Sequence, residues 1–138
     1  MLQVSTDGVV SMLTTLVDNW GSIHAGLYVS AHIPLYSDTL AVYQAMEATF
    51  PGYARQPLVN WLVPGPDAEG NAVTFADLLT WRQTAPAVVQ DVYGVFMVSP
   101  AGDLLWAEVN PNGSTPMQFA GDTFSHFPQF ALGASVFS

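Results

Sequence analysis

The 138-residue chain contains no cysteine and no lysine, and its only cations are Arg55 and Arg82. Without cysteine there is no disulfide, no thiolate nucleophile and no zinc–thiolate site, and the redox compartment cannot be read. Charge of either sign is scarce: 9% of residues are Asp, Glu, Lys or Arg, against about 25% in an ordinary soluble domain. Half of the chain is hydrophobic. Either Ser, Thr, Asn and Gln clothe the surface, or much of it is buried against other subunits. The second is favoured, because obligate interfaces resemble a domain core cut in half.

Two cations against eleven carboxylates give a formal net charge of −9. Binding phosphate needs several Lys or Arg on one face, so a nucleic-acid partner is not expected. Anionic membrane surfaces are disfavoured by the same field. The N-terminus, MLQVSTDGVV, lacks the basic region that precedes the apolar core of a signal peptide. The uncharged run from Asn19 to Ser37 is broken by Gly, Ser, His and Pro and does not read as a membrane span. A soluble, complete chain is the expectation.

What is present is apolar periodicity. Val9, Val10, Leu13, Leu16, Val17 and Trp20 fall at helical spacing, with Asp7 placed to cap and Gly21 placed to stop. This predicts an amphipathic helix over 7–20. Residues 24–33 alternate between apolar and polar and predict a half-buried strand ended by Pro34. SDTLAVYQAMEATF, 37–50, predicts a short helix capped by Ser37 or Asp38. RQPLVNWLV, 55–63, has strand composition, with Pro57 pointing to an edge or a bulge. PGPDAEGN, 64–71, is turn chemistry. AVTFADLLTW, 72–81, starts as a strand and ends with helix formers. DVYGVFMVSPAGDLLWAEV, 91–109, predicts a hairpin turning at SPAG and apolar on both faces. Its outer face then needs a cover, either the N-terminal helix or a neighbouring subunit. Gly94 marks a close approach, with Trp106 as the candidate ring.

The expected fold is mainly β: an antiparallel β-sandwich or jelly roll of about seven to eight strands with an N-terminal amphipathic helix. Residues 1–138 are expected to form one domain, with the helix at 7–20 and the sandwich over 24–138.

No residue pattern points to catalysis, metal or cofactor binding. His24 and His32, eight residues apart on one strand, would lie about 27 Å apart, too far to share a metal. Asp67, Glu69 and Asn71 resemble the opening of a calcium loop. The glycine comes too early at 70 and the twelfth position is Leu78, so a solvated turn is expected, with a weak cation or ligand loop as the alternative. No G-x-S-x-G elbow is present, and Asp103 and Glu108 read as a turn acid and a solvent-face acid. Trp61, Trp81, Tyr93, Phe96 and Trp106 read as core. Tyr28, opposite the apolar face of its strand, is the candidate stacking platform or interface anchor. The apolar ends, Leu2, Val4, Phe130, Val136 and Phe137, complete the expected assembly surface.

An F-x-G-Y-A segment (Phe50 to Ala54) precedes Trp61, then come a V-Y-G-hydrophobic strand (Val92 to Val95) and G-x-L-L-W-A-E (Gly102 to Glu108). This ordered set, over roughly residues 45–132, resembles small virion structural proteins of tailed bacteriophages. The resemblance implies a β-rich, non-enzymatic virion component. Decoration of the capsid exterior as a homo-oligomer, trimeric by preference, is the favoured role. The major capsid protein or another virion protein would be its partner. A fibre or tail module recognising a host glycan or protein is the alternative.

Overall fold

The computed structural model describes residues 2–19, 22–133 and 136–137, with the backbone alone at 2, 3, 19, 136 and 137. In chain order the elements begin with β1 (Leu2–Gln3), α1 (Thr6–Asn19), β2 (His24–Tyr28), α2 (Leu40–Gln44), β3 (Gln56–Pro57), β4 (Gly65–Pro66), β5 (Ala72–Phe75) and β6 (Leu79–Arg82). There follow β7 (Gln90–Val92), β8 (Gly94–Val98), β9 (Leu104–Val109), β10 (Thr115–Met117), β11 (Thr123–His126), β12 (Gln129–Leu132) and β13 (Val136–Phe137). All the described strand pairs are antiparallel. The chain is therefore mainly β and sandwich-like in class with an N-terminal helix, as its periodicity predicts. Its strands are shorter and more numerous than expected.

The chain divides into two compact units, one of residues 1–21, 58–78 and 127–138, the other of residues 22–57 and 79–126. In the first, α1 packs on β4, β5 and β12. Val9 and Leu13, one helical turn apart, are fully buried against Ala72, with Val10, Val17, Phe130 and Leu132 around them. The cap is Ser5 and not Asp7: Gly8 N–H donates to Ser5 Oγ at 3.0 Å, and Asp7 instead faces the helix dipole from the first turn. Leu16, expected on the buried face, is exposed together with Met12. Trp20 and Gly21 lie outside the described residues. The sheet β12-β5-β4 carries the helix, and β1 pairs with β13.

In the second unit the sheet order is β3-β2-β8-β9. β8 is buried along its whole length, so both faces of the hairpin's first strand are covered, as its composition requires. On one face the cover is α2: Tyr28, Tyr43, Phe96 and Val98 form one cluster, with Leu40, Met46, Leu104 and Ala107 against it. Tyr28 meets Tyr43 edge-on at 5.3 Å and Phe96 lies 5.4 Å from Tyr43, spacings favourable for aromatic pairs. The smaller pairs β7/β10 and β6/β11 complete this unit.

Several boundaries differ from expectation for local reasons. β2 stops at Tyr28, because the chain from Val29 turns into a loop that Asp38 ties together. The 37–50 helix shrinks to Leu40–Gln44 with Thr39 at its N-cap and no side-chain cap bond. Only Gln56–Pro57 of the 55–63 segment pairs, since Pro57 removes a donor and Asn60 takes a positive φ of 58°. The 72–81 run is two strands, broken where Asp77 N–H donates to Val59 O and its carboxylate accepts from Asn60 Nδ2.

Candidate functional site

Three carboxylate clusters stand out, at Glu47, Asp38 and Glu108, each against an arginine or a histidine. Glu47 is the densest. Arg55 Nε donates to Glu47 Oε2 at 2.8 Å and its Nη2 to Oε1 at 2.9 Å, a bidentate pair. Tyr53 Oη donates to the same Oε2 at 2.5 Å and accepts from Leu27 N–H. The guanidinium sits 5.3 Å from the Phe96 ring centroid. Burial first, and then the Glu47 contact, push the Tyr53 hydroxyl well above its ordinary value. Three of these groups come from the stretch Glu47–Arg55, whose FPGYAR segment is accordingly a staple. Gly52, at φ +90°, lets the chain pass against the Arg82 carbonyl, and Trp81 Nε1 donates to Ala54 O at 2.9 Å.

Asp38 organises a second cluster. Its Oδ2 accepts from Leu35 N–H at 2.9 Å and from Tyr43 Oη at 2.9 Å, and lies 2.8 Å from His32 Nε2. The Leu35 N–H, then His32, hold the carboxyl below the usual carboxylate range. In a third cluster His126 Nε2 lies 2.8 Å from Glu108 Oε2, with both atoms buried. The sequence offers Asp38 only as a helix cap and does not bring Glu47, Tyr53 and Arg55 together. The available signal was that Arg55 is one of only two cations and lies eight residues after an isolated glutamate.

The expected site residues are dispersed. The Asp67 carboxylate is consumed by its own turn: Oδ1 accepts from the N–H groups of Glu69 and Asn71, and Oδ2 accepts from Asn71 Nδ2. Those bonds, the Asn71 N–H foremost, lower its pKa. Asp67, Glu69 and Asn71 thus form a self-closed Asx turn. Tyr28 is 0% exposed, so it is neither a stacking platform nor an interface anchor. It is the ring that requires Gly94, in place of the expected Trp106. Of the apolar ends, Val4 and Phe130 are only partly exposed and pack against the α1 cluster. The side chains of Leu2, Val136 and Phe137 lie outside the described residues, although the backbone pairs Leu2 with Phe137. Trp81 and Phe96 are core, whereas Trp61, Tyr93 and Trp106 are half-buried.

His24 and His32 do not share a strand, His32 being in the loop after β2. Among the described residues no three His, Asp or Glu side chains converge as metal ligands would. No described helix is long and apolar enough to cross a membrane. Asp38, Glu47, Asp67, Asp77 and Asp122 tie loops, while Asp7, Asp18, Glu69, Arg82 and Asp103 are exposed and share the surface with large apolar side chains. Met12, Leu16, Ile33, Leu35, Tyr36, Val63, Val88, Phe119 and Phe127 are all exposed, Tyr36 and Val63 almost entirely. No family model, curated protein or solved structure matches the chain.

Proposed function

We propose that this chain is a non-enzymatic structural protein of a tailed-bacteriophage virion. Its role would be to decorate or cement the capsid exterior, associating with itself as a trimer and with the major capsid protein or another virion protein. The observation that carries the reading is the surface. Charged side chains are few, several of them are held in internal ties, and large apolar residues stand exposed in both units. Met12 and Leu16 line one apolar cleft with Leu132, and apolar patches mark surfaces that other chains cover.

The chain exposes 7706 Å², so a standard interface of about 800 Å² per partner takes roughly a tenth of it. Cementing then works by mass action: a protein bound across shell subunits stabilises the assembled state by an amount set by affinity and concentration. The resemblance of the Phe50–Ala54, Val92–Val95 and Gly102–Glu108 segments supplies the virion context. The alternative of a fibre or tail module for a host glycan or protein has less support, because Tyr28, its expected aromatic platform, is buried.

Light scattering of the purified chain across a concentration series tests the assembly part, with a closed oligomer expected at low micromolar concentration. A monomer throughout counts against self-association. Particles made without the protein are expected to lose integrity at lower temperature than complete ones, and equal survival removes the cement role.

A further inference from the structure

Strand β9 closes one end of the sheet order β3-β2-β8-β9, and no described strand pairs with its outer side. Asn110 N–H donates to Tyr93 O, and Gly94 stands opposite Val109. That phase turns the backbone groups of Glu108 and Trp106 toward β8, and those of Ala107 and Val109 outward. Natural sheet edges are usually blocked by lysine, proline or an uncompensated charge. β9, LLWAEV, runs six residues with no lysine and no proline. Its one charge, Glu108, is half-buried, with Oε2 lying 2.8 Å from His126 Nε2.

Beside this edge lie two clefts, of about 310 and 380 Å³. Residues 34–41 form one wall and residues 102–107 the other; both clefts include Asp38 and Leu104, so they run on as one groove. A bare strand edge beside a groove is the geometry of strand addition, in which main-chain bonds give affinity and side-chain pockets give selectivity. The charge in the groove decides the occupant. Asp103 stands exposed in its lining, Asp38 lines it with its carboxylate already held by Leu35 N–H, Tyr43 and His32, and no Lys or Arg does. A second copy of this chain, at −9, would bring the same two acids into the same space.

We propose that β9 takes up an extended segment of another protein, one that alternates apolar residues with lysine or arginine and adds a strand beside Ala107 and Val109. The inference needs no assumption about where the protein resides, and its failure leaves the oligomer and particle tests above untouched.

The test uses the full chain, isotope-labelled, and a ten-residue peptide of alternating valine and lysine, kept below the concentration at which it self-associates. The valine–glutamate peptide is the control. Exchange of the Ala107 and Val109 amides is expected to slow at least tenfold with the lysine peptide, relative to the Glu108 amide, and to be unchanged by the control. Asp103→Lys, on an exposed turn, should weaken binding of the lysine peptide at least fivefold with the melting temperature unchanged. Val109→Pro should abolish the added protection by removing an outward N–H. The proposal is overturned by unchanged exchange at both amides, or by equal binding of the two peptides. It is also overturned if these amides are already protected in a dimer of the chain alone, since the edge then belongs to a second copy.

Discussion

At Gly94 an added Cβ would collide with the Glu108 carbonyl oxygen and lie 2.5 Å from the Tyr28 hydroxyl. Neither can yield, one being ladder backbone and the other a ring locked between Tyr43 and Phe96. Gly94→Ala is therefore expected to cost about 3 kcal/mol, the upper end for overpacking, as read from denaturant midpoints. Gly65→Ala, where a Cβ meets nothing, should fall within about 0.5 kcal/mol of the parent. An equal loss at both positions would show that the close approach at Gly94 is not what fixes its identity. Glu47 carries the other residue-scale prediction. Glu47→Leu leaves the Arg55 guanidinium and the Tyr53 hydroxyl without their acceptor in a partly buried setting. A loss of about 2–3 kcal/mol is expected, below the full cost for a wholly buried pair. Arg55→Met added to it should recover part of that loss, because no cation is then stranded.

Titration separates these ties further. Tyr28, Tyr43 and Tyr53 all have raised hydroxyl pKa values, burial being the first cause in each. The folded state then holds protons that the unfolded chain releases above about pH 10. The stability they contribute is complete below pH 10 and is lost as pH rises beyond it. Asp38, Asp67 and Asp122 are shifted the other way, chiefly by backbone N–H groups from Leu35, Asn71 and Phe119. Their contribution is present above the ordinary carboxylate value, near pH 4, and fades as pH falls below it. Melting temperatures should thus stay level from about pH 5 to 9 and fall on both sides. Tyr53→Phe should flatten the alkaline fall and leave the acid one unchanged; a parallel alkaline fall would remove Tyr53 from the explanation.

Among the elements, α1 and the β8/β9 hairpin were legible because each carries its period over many residues, and local order there agrees with burial. Leu13 shows the consequence. It is fully buried against Ala72 with Val9 one turn before it, so Leu13→Ala should cost about 3–5 kcal/mol through lost burial and the cavity left behind. Ser5→Ala should cost about 1 kcal/mol, and Asp7→Ala less, if Ser5 is the cap. The reverse order in thermal melts would restore Asp7 to that role. What the sequence could not reveal were elements whose limits depend on distant partners. The 24–33 alternation continues past Tyr28, but Asp38, gathering Leu35 N–H, His32 and Tyr43, bends the chain away from the sheet. The 72–81 run breaks because Asp77 is held by Asn60 and Val59 from another segment. Candidate sites failed for the same reason. Tyr28 looks polar-faced in an alternating strand, yet α2 covers that face.

For the whole molecule, two properties pull against each other. Exposed apolar residues favour association, while a net charge of −9 on every copy opposes it. With two cations in the chain, both arginines and one of them already paired with Glu47, copies have little with which to form intermolecular ion pairs. Repulsion between like-charged copies is therefore the main electrostatic contribution to self-association. At 0.01 M ionic strength it acts over about 30 Å, and at 1 M over about 3 Å. Raising salt should thus strengthen self-association, the opposite sign to an interface built on salt bridges. The dissociation constant is expected to fall at least tenfold between 20 mM and 0.5 M sodium chloride, measured by sedimentation equilibrium. Met12→Gln with Leu16→Gln, on the exposed face of α1 beside an open apolar cleft that Leu132 also lines, should weaken association at every salt concentration. That pair leaves Val9 and Leu13 in place, so the melting temperature of the dilute protein should change little. Weaker association at high salt would mean that oppositely charged contacts hold the copies together, and the scarcity of charge would then need another explanation.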